Sequence, residues 1–284
     1  MFGLTRAQAD PSPAPPPQVP LGNTGITMSR IGQGTGMSGG NRQSNHTRMG
    51  FQKLVELFQH DYDHGITFYD MADLYGSHLY LREALRAIPR DKVSILTKLW
   101  FRYDGEPANV PAAFKKHSAE MAIQRFRHEL ATDYIDVVLL HCLMTPEWEA
   151  EMEPYMEALS AAKAKKQIRA VGVSCHDLRA LKTAAQCPCV DVILARINPK
   201  GTSMDGSVED VLPVLRTAKA NGKALIGMKI YGEGKLAKTP EMREECIRYA
   251  QNLGLLDSMT LGAESPEQMR ESLALLSRFP AAKG

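Results

Sequence analysis

Short apolar runs alternate with longer segments of helical period along most of the chain. The run Val137-Val138-Leu139-Leu140 is apolar on both faces, which is typical of a strand buried inside a protein. Segment 49–64 instead repeats its apolar residues at Phe51, Leu54 and Phe58, which is the spacing of one helix face. The pattern predicts strands over 31–35, 67–69, 93–97, 135–140, 170–173, 192–196, 224–228 and 258–261. It predicts helices over 49–64, 112–130, 149–166, 208–221, 241–253 and 266–277.

Strict alternation of strand and helix predicts parallel pairing, because each helix returns the chain to the same end of the sheet. Eight such units close a (β/α)8 TIM barrel, so the predicted class is α/β. A doubly wound sheet opens with a Gly-rich turn that leads into a helix. The run 32–36 (GQGTG) is glycine-rich, but no helical pattern follows it directly. Before the barrel, residues 19–21 and 26–28 flank a Gly/Asn turn and predict a short N-terminal β-hairpin.

Length and composition agree with a single barrel domain over 19–284, preceded by a proline-rich tail. A barrel of this kind takes about 250 residues, and the chain has 284. Six prolines lie among residues 11–20, so residues 1–18 are predicted to form an extended, mobile tail. A processed export leader is one origin for such a tail. The sequence leaves that origin open beside the expected cytoplasmic location.

Charge and cysteine content limit the partners and the cellular compartment. The formal net charge is +2, which gives no basic stripe for nucleic acid, and no run approaches the ~18 apolar residues of a membrane helix. We therefore expect a small-molecule partner. Five cysteines are too few and odd in number for a disulfide framework, which favours a reducing compartment. Cys187 and Cys189 are predicted to be free thiols, rather than a redox pair or a metal site.

Four residues with complementary chemistry follow three consecutive predicted strands. Asp70 follows the second strand and Tyr75 lies in its loop, while Lys98 ends the third strand and His141 the fourth. The carboxyl ends of barrel strands surround one active-site face. A lysine ammonium held by an aspartate is expected to lower the pKa of the tyrosine, and a neutral histidine to orient a carbonyl. Each residue alone is as easily structural, but together they predict a proton-transfer site.

The chain resembles the aldo-keto reductases in the motifs around these residues. Segment 70–76 (DMADLYG) resembles the D-x-A-x-x-Y-G motif of that family, and 97–99 (TKL) and 139–141 (LLH) resemble its next two strand ends. The similarity continues at 172–174 (GVS) and 262–268 (GAESPEQ), and spans roughly residues 19–276. It implies an oxidoreductase that uses NADP(H) or NAD(H) on a carbonyl or alcohol, with ordered binding.

The resemblance also implies a role for individual residues. Tyr75 becomes the general acid/base, tuned by Lys98 and Asp70, and His141 orients the carbonyl. The implied cofactor contacts are Gly34, Thr35, Gly36, Asp70, Ser174, Cys175, Lys229, Gly262, Glu264, Ser265 and Gln268. Trp100 and Met144 are expected to shape the substrate pocket, and packing in the core or in a loop is an equal alternative for both. No metal ligands are implied.

Departures from the family pattern bear on the cofactor. Many members carry Asn where this chain has Cys175, and Gln where it has Leu194, so two amide contacts differ. Glu264 occupies a position where Lys or Arg commonly binds the 2′-phosphate of NADP(H). A carboxylate at that position favours the free ribose hydroxyls of NAD(H). Arg270 is placed to compensate, and NADP(H) is the usual family cofactor, so both nucleotides are retained.

Two other classes of function were weighed against the reductase. A regulatory barrel that binds a cofactor with little turnover has no need of the four proton-transfer residues. A metal-dependent hydrolase or lyase requires several converging His and carboxylate ligands, whereas the first strand offers Gly, Gln and Thr.

Overall fold

A computed structural model describes residues 13–282, so most of the predicted tail over 1–18 lies outside the described residues. The strands are β1 Gln18–Pro20, β2 Thr27–Ser29, β3 Ile31–Gly34, β4 Phe68–Asp70, β5 Ser94–Leu99, β6 Ile135–Leu143, β7 Ile168–Cys175, β8 Val192–Arg196, β9 Ala224–Met228 and β10 Ser258–Leu261. The helices are α1 Asn45–Arg48, α2 Phe51–Asp63, α3 His78–Ala84, α4 Ala112–Leu130, α5 Trp148–Glu151, α6 Glu153–Ala164, α7 Leu178–Gln186, α8 Val208–Ala220, α9 Pro240–Asn252 and α10 Pro266–Arg278.

Strands β3 to β10 form a closed barrel in which all neighbours are parallel. The barrel closes where β10 pairs with β3, with Met259 beside Ile31. Strands β1 and β2 pair antiparallel, with Val19 beside Met28. The predicted (β/α)8 barrel and N-terminal hairpin are therefore confirmed.

Apolar side chains form one layer inside the barrel and a second between the barrel and its helices. The hairpin contributes Leu21, Ile26 and Met28 to the inner layer, and all three are at most 1% exposed. Burying a side chain of this size stabilises the fold by about 1.5–3 kcal/mol. Gly22 lies against Ala224, the first residue of β9, so the hairpin closes the barrel at the amino ends of its strands. The carboxyl ends of the strands are left open for a functional site.

The helical layer differs from the prediction in four places. Helices α1, α3 and α7 are absent from the predicted set, and the single helix predicted over 149–166 is divided into α5 and α6. The division falls beside Pro154, which has no N–H for a continuous helical ladder. Helix α7 begins at Asp177, whose carboxylate accepts the N–H groups of Arg179 and Ala180. At seven and nine residues, α3 and α7 are short for a pattern-based prediction.

The prediction for Cys187 and Cys189 was wrong. The two residues form a disulfide, while Cys142, Cys175 and Cys246 are free thiols. The turn after α7 brings the Cα atoms of the pair to 5.4 Å, within the range that a disulfide spans.

Segment 13–17 lies against the barrel where the chain enters the described region. Pro16 is buried, and the carbonyl of Pro17 accepts the N–H of Arg30 at 2.8 Å. The amide of Gln18 donates to the carbonyl of Gly65 at 3.0 Å. Within residues 13–282, no helix has the length and apolar character needed to cross a membrane.

Candidate active site

A cavity of about 490 Å³ opens at the carboxyl ends of the barrel strands. One end is lined by Asp70 and Tyr75, after β4, and the other by Glu264 and Gln268, around the start of α10. Parallel strands deliver their following loops to the same face, so residues far apart in sequence meet here. The volume lies within the range of small-molecule and cofactor sites.

Lys98 forms a buried ion pair with Asp70 behind the cavity wall. Strand β5 lies beside β4 and projects Lys98 inward, where its Nζ donates to the Asp70 carboxylate and, at 2.9 Å, to the Met71 carbonyl. The Lys98 side chain is only 1% exposed. Its Nζ lies 4.7 Å from the centre of the Tyr75 ring, so a cation held by Asp70 stands beside the phenol.

His141 contacts the Tyr75 hydroxyl from the neighbouring strand β6. Its Nε2 lies 3.3 Å from the Tyr75 oxygen, and the two rings meet edge to face with centroids 5.5 Å apart. Burial, reinforced by the Lys98 charge, holds the pKa of His141 well below its usual value. The imidazole is therefore neutral near pH 7. The four residues that the sequence predicted to converge do lie together.

The lowered pKa that the sequence predicted for Tyr75 was wrong. Burial, with the nearby Asp70 carboxylate, raises the pKa of Tyr75 well above its usual value. Burial also lowers the pKa of Lys98, although Asp70 opposes that effect. Desolvation and the Asp70 charge both disfavour the phenolate, so Tyr75 is a protonated phenol at neutral pH.

Two arginines hold the short turn that carries Tyr75. Residues Asp73–Tyr75 form one turn of 3-10 helix, and Asp73 is 4% exposed. Arg125, from α4, donates to both carboxylate oxygens of Asp73 at 2.9 and 2.6 Å. Arg42 approaches the same carboxylate at 3.0 Å. Sequence reasoning missed these residues, because the contacts link loops more than 30 residues apart.

Two glycines at the end of β3 and just after it form the wall beside Tyr75. Gly34 and Gly36 line the cavity. Thr35 turns away, and its hydroxyl donates to the Asp70 carbonyl at 2.9 Å. Thr35 thus ties β3 to the start of the Tyr75 loop, and its side chain lies behind the cavity wall.

Ser174 and Cys175, at the end of β7, lie in different environments. The Ser174 hydroxyl accepts the backbone N–H of Cys142 at 2.9 Å, next to His141. Cys175 is 1% exposed and packs in the apolar layer between barrel and helices, away from the cavity lining. Successive residues of a strand point to opposite faces, so only one of the two faces the barrel axis. Leu194, on the neighbouring strand β8, lies in the apolar layer inside the barrel.

The far end of the cavity is built around the start of α10. Ser265 caps the helix by accepting the Gln268 N–H, and Gln268 in turn accepts the Glu264 N–H at 2.8 Å. Gly262 leaves the loop open beside them, with the nearest atom to its Cβ position at 3.5 Å. A helix start with accessible N–H groups attracts anions such as phosphate.

One polar atom in the cavity lining has no hydrogen-bond partner, which indicates that the cavity suits a polar cofactor. Thr260 lines the cavity and is 7% exposed, yet its hydroxyl has no hydrogen-bond partner. A buried hydroxyl without a partner is costly, and a polar ligand in the cavity is positioned to supply one. With the glycine wall and the helix start, the lining fits an extended, partly anionic nucleotide.

Charged side chains around loop 262–265 and the start of α10 are already paired. Asn45, from α1, donates to the Glu264 carboxylate at 2.8 Å. Lys229 forms an ion pair with Glu233 at 2.6 Å, and Arg270 forms one with Glu267 at 2.7 Å. The carboxylate of Glu264 is thus held in place, while the two nearby cations are each engaged by a carboxylate.

Trp100 contacts His141, and Met144 lies apart from it. The Trp100 ring meets the His141 ring edge to face at 5.3 Å and lines a second cavity of about 590 Å³. Met144 is 50% exposed and lines a separate cavity of about 110 Å³. Over residues 13–282, no cluster of three or more His, Cys, Asp or Glu side chains is placed to hold a metal ion.

Comparisons with known proteins agree with this geometry. An Escherichia coli (strain K12) protein named NADH-specific methylglyoxal reductase is 25% identical over 307 residues, covering 92% of this chain and 93% of its own. A Pseudomonas aeruginosa structure assigned to the aldo-keto reductases matches with a TM-score of 0.73 and 22% identity, over 92% of this chain and 94% of that one. The holo form of a Bacillus halodurans aldo-keto reductase matches with a TM-score of 0.69 and 19% identity, over 93% and 92%.

The two structural matches are similarities of fold. The family model described as "Aldo/keto reductase family" matches residues 30–251, which include every strand of the barrel except β10. The chain therefore belongs to the aldo/keto reductase family, whose members are NAD(P)H-dependent oxidoreductases.

Proposed function

We propose that this protein reduces a small carbonyl compound with Tyr75 as the proton donor. The observation that carries the proposal is the partly buried Tyr75 hydroxyl at the cavity wall, 3.3 Å from His141 and beside the Lys98–Asp70 pair. Bound NAD(P)H supplies the hydride that the carbonyl carbon accepts. Tyr75 supplies the proton that the oxygen accepts, so the product is the alcohol.

Each neighbour of Tyr75 has a role in this step. The raised pKa keeps Tyr75 protonated, so the phenol is ready to donate. After donation, the Lys98 ammonium stabilises the phenolate, and Asp70 holds that ammonium in place. Neutral His141 orients the carbonyl oxygen by a hydrogen bond from its ring nitrogen. Tyr75 then regains its proton from solvent.

The cofactor would occupy the cavity between Tyr75 and the start of α10. Gly34, Gly36 and Asp70 would adjoin the nicotinamide end, with Ser174 toward its carboxamide. Gln268 and the loop 262–265 would adjoin the adenosine end, where the N–H groups of α10 begin. Cys175 and Lys229 are not part of this assignment, because one is in the outer layer and the other is paired with Glu233.

We further propose a preference for NAD(H) and for a short substrate. Glu264, fixed by Asn45, would accept hydrogen bonds from free ribose hydroxyls and repel a 2′-phosphate. The Escherichia coli relative is named as NADH-specific and as acting on methylglyoxal. Trp100, whose ring touches His141, would bound the space around a small aldehyde.

A titration and a turnover assay test this proposal. Wild type, Tyr75→Phe and the matched control Tyr103→Phe, whose ring is 50% exposed, are titrated with NADH and NADPH by fluorescence. They are then assayed with methylglyoxal and an aldehyde panel. We expect all three to bind nucleotide and only Tyr75→Phe to lose turnover, by at least about 100-fold. Failure to bind either nucleotide would refute the assignment. Binding without turnover by wild type would instead support a regulatory barrel.

A further inference from the structure

The Cys187–Cys189 disulfide lies on the face of the barrel opposite the active site. It belongs to the turn between the end of α7 and the amino end of β8, at Val192. The cavity with Tyr75 opens at the carboxyl ends of the strands. The proposed reductase site makes no use of this pair.

The turn that carries the disulfide is held by other bonds. The N–H of Cys187 donates to the Thr183 carbonyl at 3.0 Å, and the Cys187 carbonyl accepts from the Val190 N–H at 3.3 Å. The same carbonyl accepts from Lys223 Nζ at 2.6 Å. Cross-linking residues two apart removes little entropy from the unfolded chain. The disulfide therefore adds little to the stability of the fold, and the turn has hydrogen bonds that do not involve the sulfurs.

The two sulfurs differ in access and in electrostatic surroundings. Cys187 is 2% exposed, whereas Cys189 is only partly buried and follows the exposed Pro188. Lys223, itself 6% exposed, holds its ammonium against the Cys187 backbone. An incoming thiolate reaches Cys189 more easily. The Lys223 cation, which is bonded to the Cys187 carbonyl, is placed on the residue from which the other thiolate would leave.

We propose that Cys187 and Cys189 form a thiol–disulfide exchange site for low-molecular-weight thiols such as glutathione. An external thiolate attacks Cys189 Sγ, the bond between the two protein sulfurs breaks, and Cys187 leaves as a thiolate beside Lys223. A second external thiolate then attacks the external sulfur of the mixed disulfide, which releases Cys189 and the external disulfide. Two external thiols are oxidised and one protein disulfide is reduced to two thiols. The reverse reaction reforms the protein disulfide.

The first test measures exchange in the folded protein. The full chain is equilibrated without oxygen in buffers of fixed reduced-to-oxidised glutathione ratio, quenched in acid, alkylated and mapped by mass spectrometry. We expect the 187–189 disulfide to open and reform as one reversible two-electron step, with the melting temperature unchanged within a few degrees. A disulfide that opens only in denaturant, or a pair that stays reduced in oxidised glutathione alone, would overturn the proposal.

Variants test the order of attack and the role of the cation. Cys187→Ser should capture glutathione on Cys189 at least about tenfold faster than Cys189→Ser captures it on Cys187, because only Cys189 is accessible. Lys223→Gln should slow reductive opening by about threefold or more relative to Lys182→Gln, an exposed control on α7. Equal capture by the two cysteine variants, or equal rates for the two lysine variants, would contradict the mechanism. NAD(P)H binding is recorded in parallel, so that failure of the reductase proposal is seen separately.

Discussion

Gly36 lies against the Tyr75 ring so closely that a Cβ atom at residue 36 would sit 2.4 Å from Tyr75 Cζ and 2.7 Å from the hydroxyl oxygen. Gly36→Ala should therefore displace the phenol from His141. We expect kcat to fall by about 100-fold, because a displacement of about 1 Å at the reacting groups costs that much. Steady-state kinetics, with circular dichroism to verify folding, measures the effect.

Gly40→Ala is the matched control for that substitution. No atom lies within 4 Å of a Cβ at Gly40, which is in the same loop, so activity should stay within about twofold of wild type. Equal loss of activity in both variants would show that the loop, and not the Tyr75 contact, is at fault.

Arg125 should matter for turnover, although it does not line the cavity that holds Tyr75. Arg125→Gln removes the charged contacts to Asp73, two residues before Tyr75, so the turn loses its fixed position. We expect kcat to fall by about tenfold while the Kd for NADH changes less than twofold. Arg86→Gln, at a side chain 77% exposed, is the control. A parallel loss of nucleotide binding would assign Arg125 a general structural role instead.

Nucleotide preference should respond to Glu264. Glu264→Arg replaces a carboxylate held by Asn45 with a cation, so a 2′-phosphate would be attracted and not repelled. We expect the ratio of kcat/KM for NADPH to that for NADH to rise by at least about tenfold. Glu267→Arg is the control, since Glu267 pairs with Arg270 and does not line the cavity. If the ratio rose equally in both variants, the preference would depend on the overall charge at the start of α10 and not on Glu264 itself.

Asp61 should make the stability of the fold depend on pH. Burial, opposed by His60, raises the pKa of this fully buried carboxyl to about 6 from the usual 3.8. The folded state therefore binds the proton on Asp61 more tightly than the unfolded state does. This proton stabilises the fold at low pH, and the stabilisation is lost as the pH rises through 6. Between pH 4.5 and 8, wild type should lose about 2 kcal/mol of unfolding free energy relative to Asp61→Asn.

Urea unfolding of both proteins at the two pH values measures this difference. Asp63→Asn, at an exposed position of the same helix, should show no comparable pH dependence relative to wild type. If Asp61→Asn followed wild type between pH 4.5 and 8, the pKa of Asp61 would not be raised in the folded state.

The barrel could be predicted because its signal is local and repeated. Strands β8, β9 and β10 begin and end where the apolar runs predict, and a charged residue directly precedes each of them. Helix α7 has the same kind of signal, but its start depends on the Asp177 cap and its length is nine residues. The Cys187–Cys189 bond depends on the angle of one turn, and nothing in the spacing specifies that angle.

Residues at strand ends were predictable in the site, and contacts between loops were not. Asp70, Lys98 and His141 follow from the rule that chemistry gathers at the carboxyl ends of barrel strands. The contact between Arg125 and Asp73 joins α4 to a distant loop, and no local pattern marks it. The depth of burial that raises the pKa of Tyr75 is likewise a property of the assembled fold.

A usable signal existed for Cys175. It follows Ser174 in β7, and the alternation of strand side chains places adjacent residues on opposite faces. Two neighbours in one strand are therefore poor partners for the same ligand. Applying this alternation at each strand end would have separated the cavity wall from the outer layer in advance.

The β-hairpin limits the routes by which a proton can reach Tyr75. Leu21, Ile26 and Met28 close the amino end of the barrel with apolar groups, and further apolar side chains fill the interior above them. Such a packed interior holds no chain of water molecules. In the proposed mechanism, the proton that restores Tyr75 would therefore enter through the same mouth as the ligands. A bound nucleotide and substrate would stand in that route, which couples reloading of the acid to the departure of product.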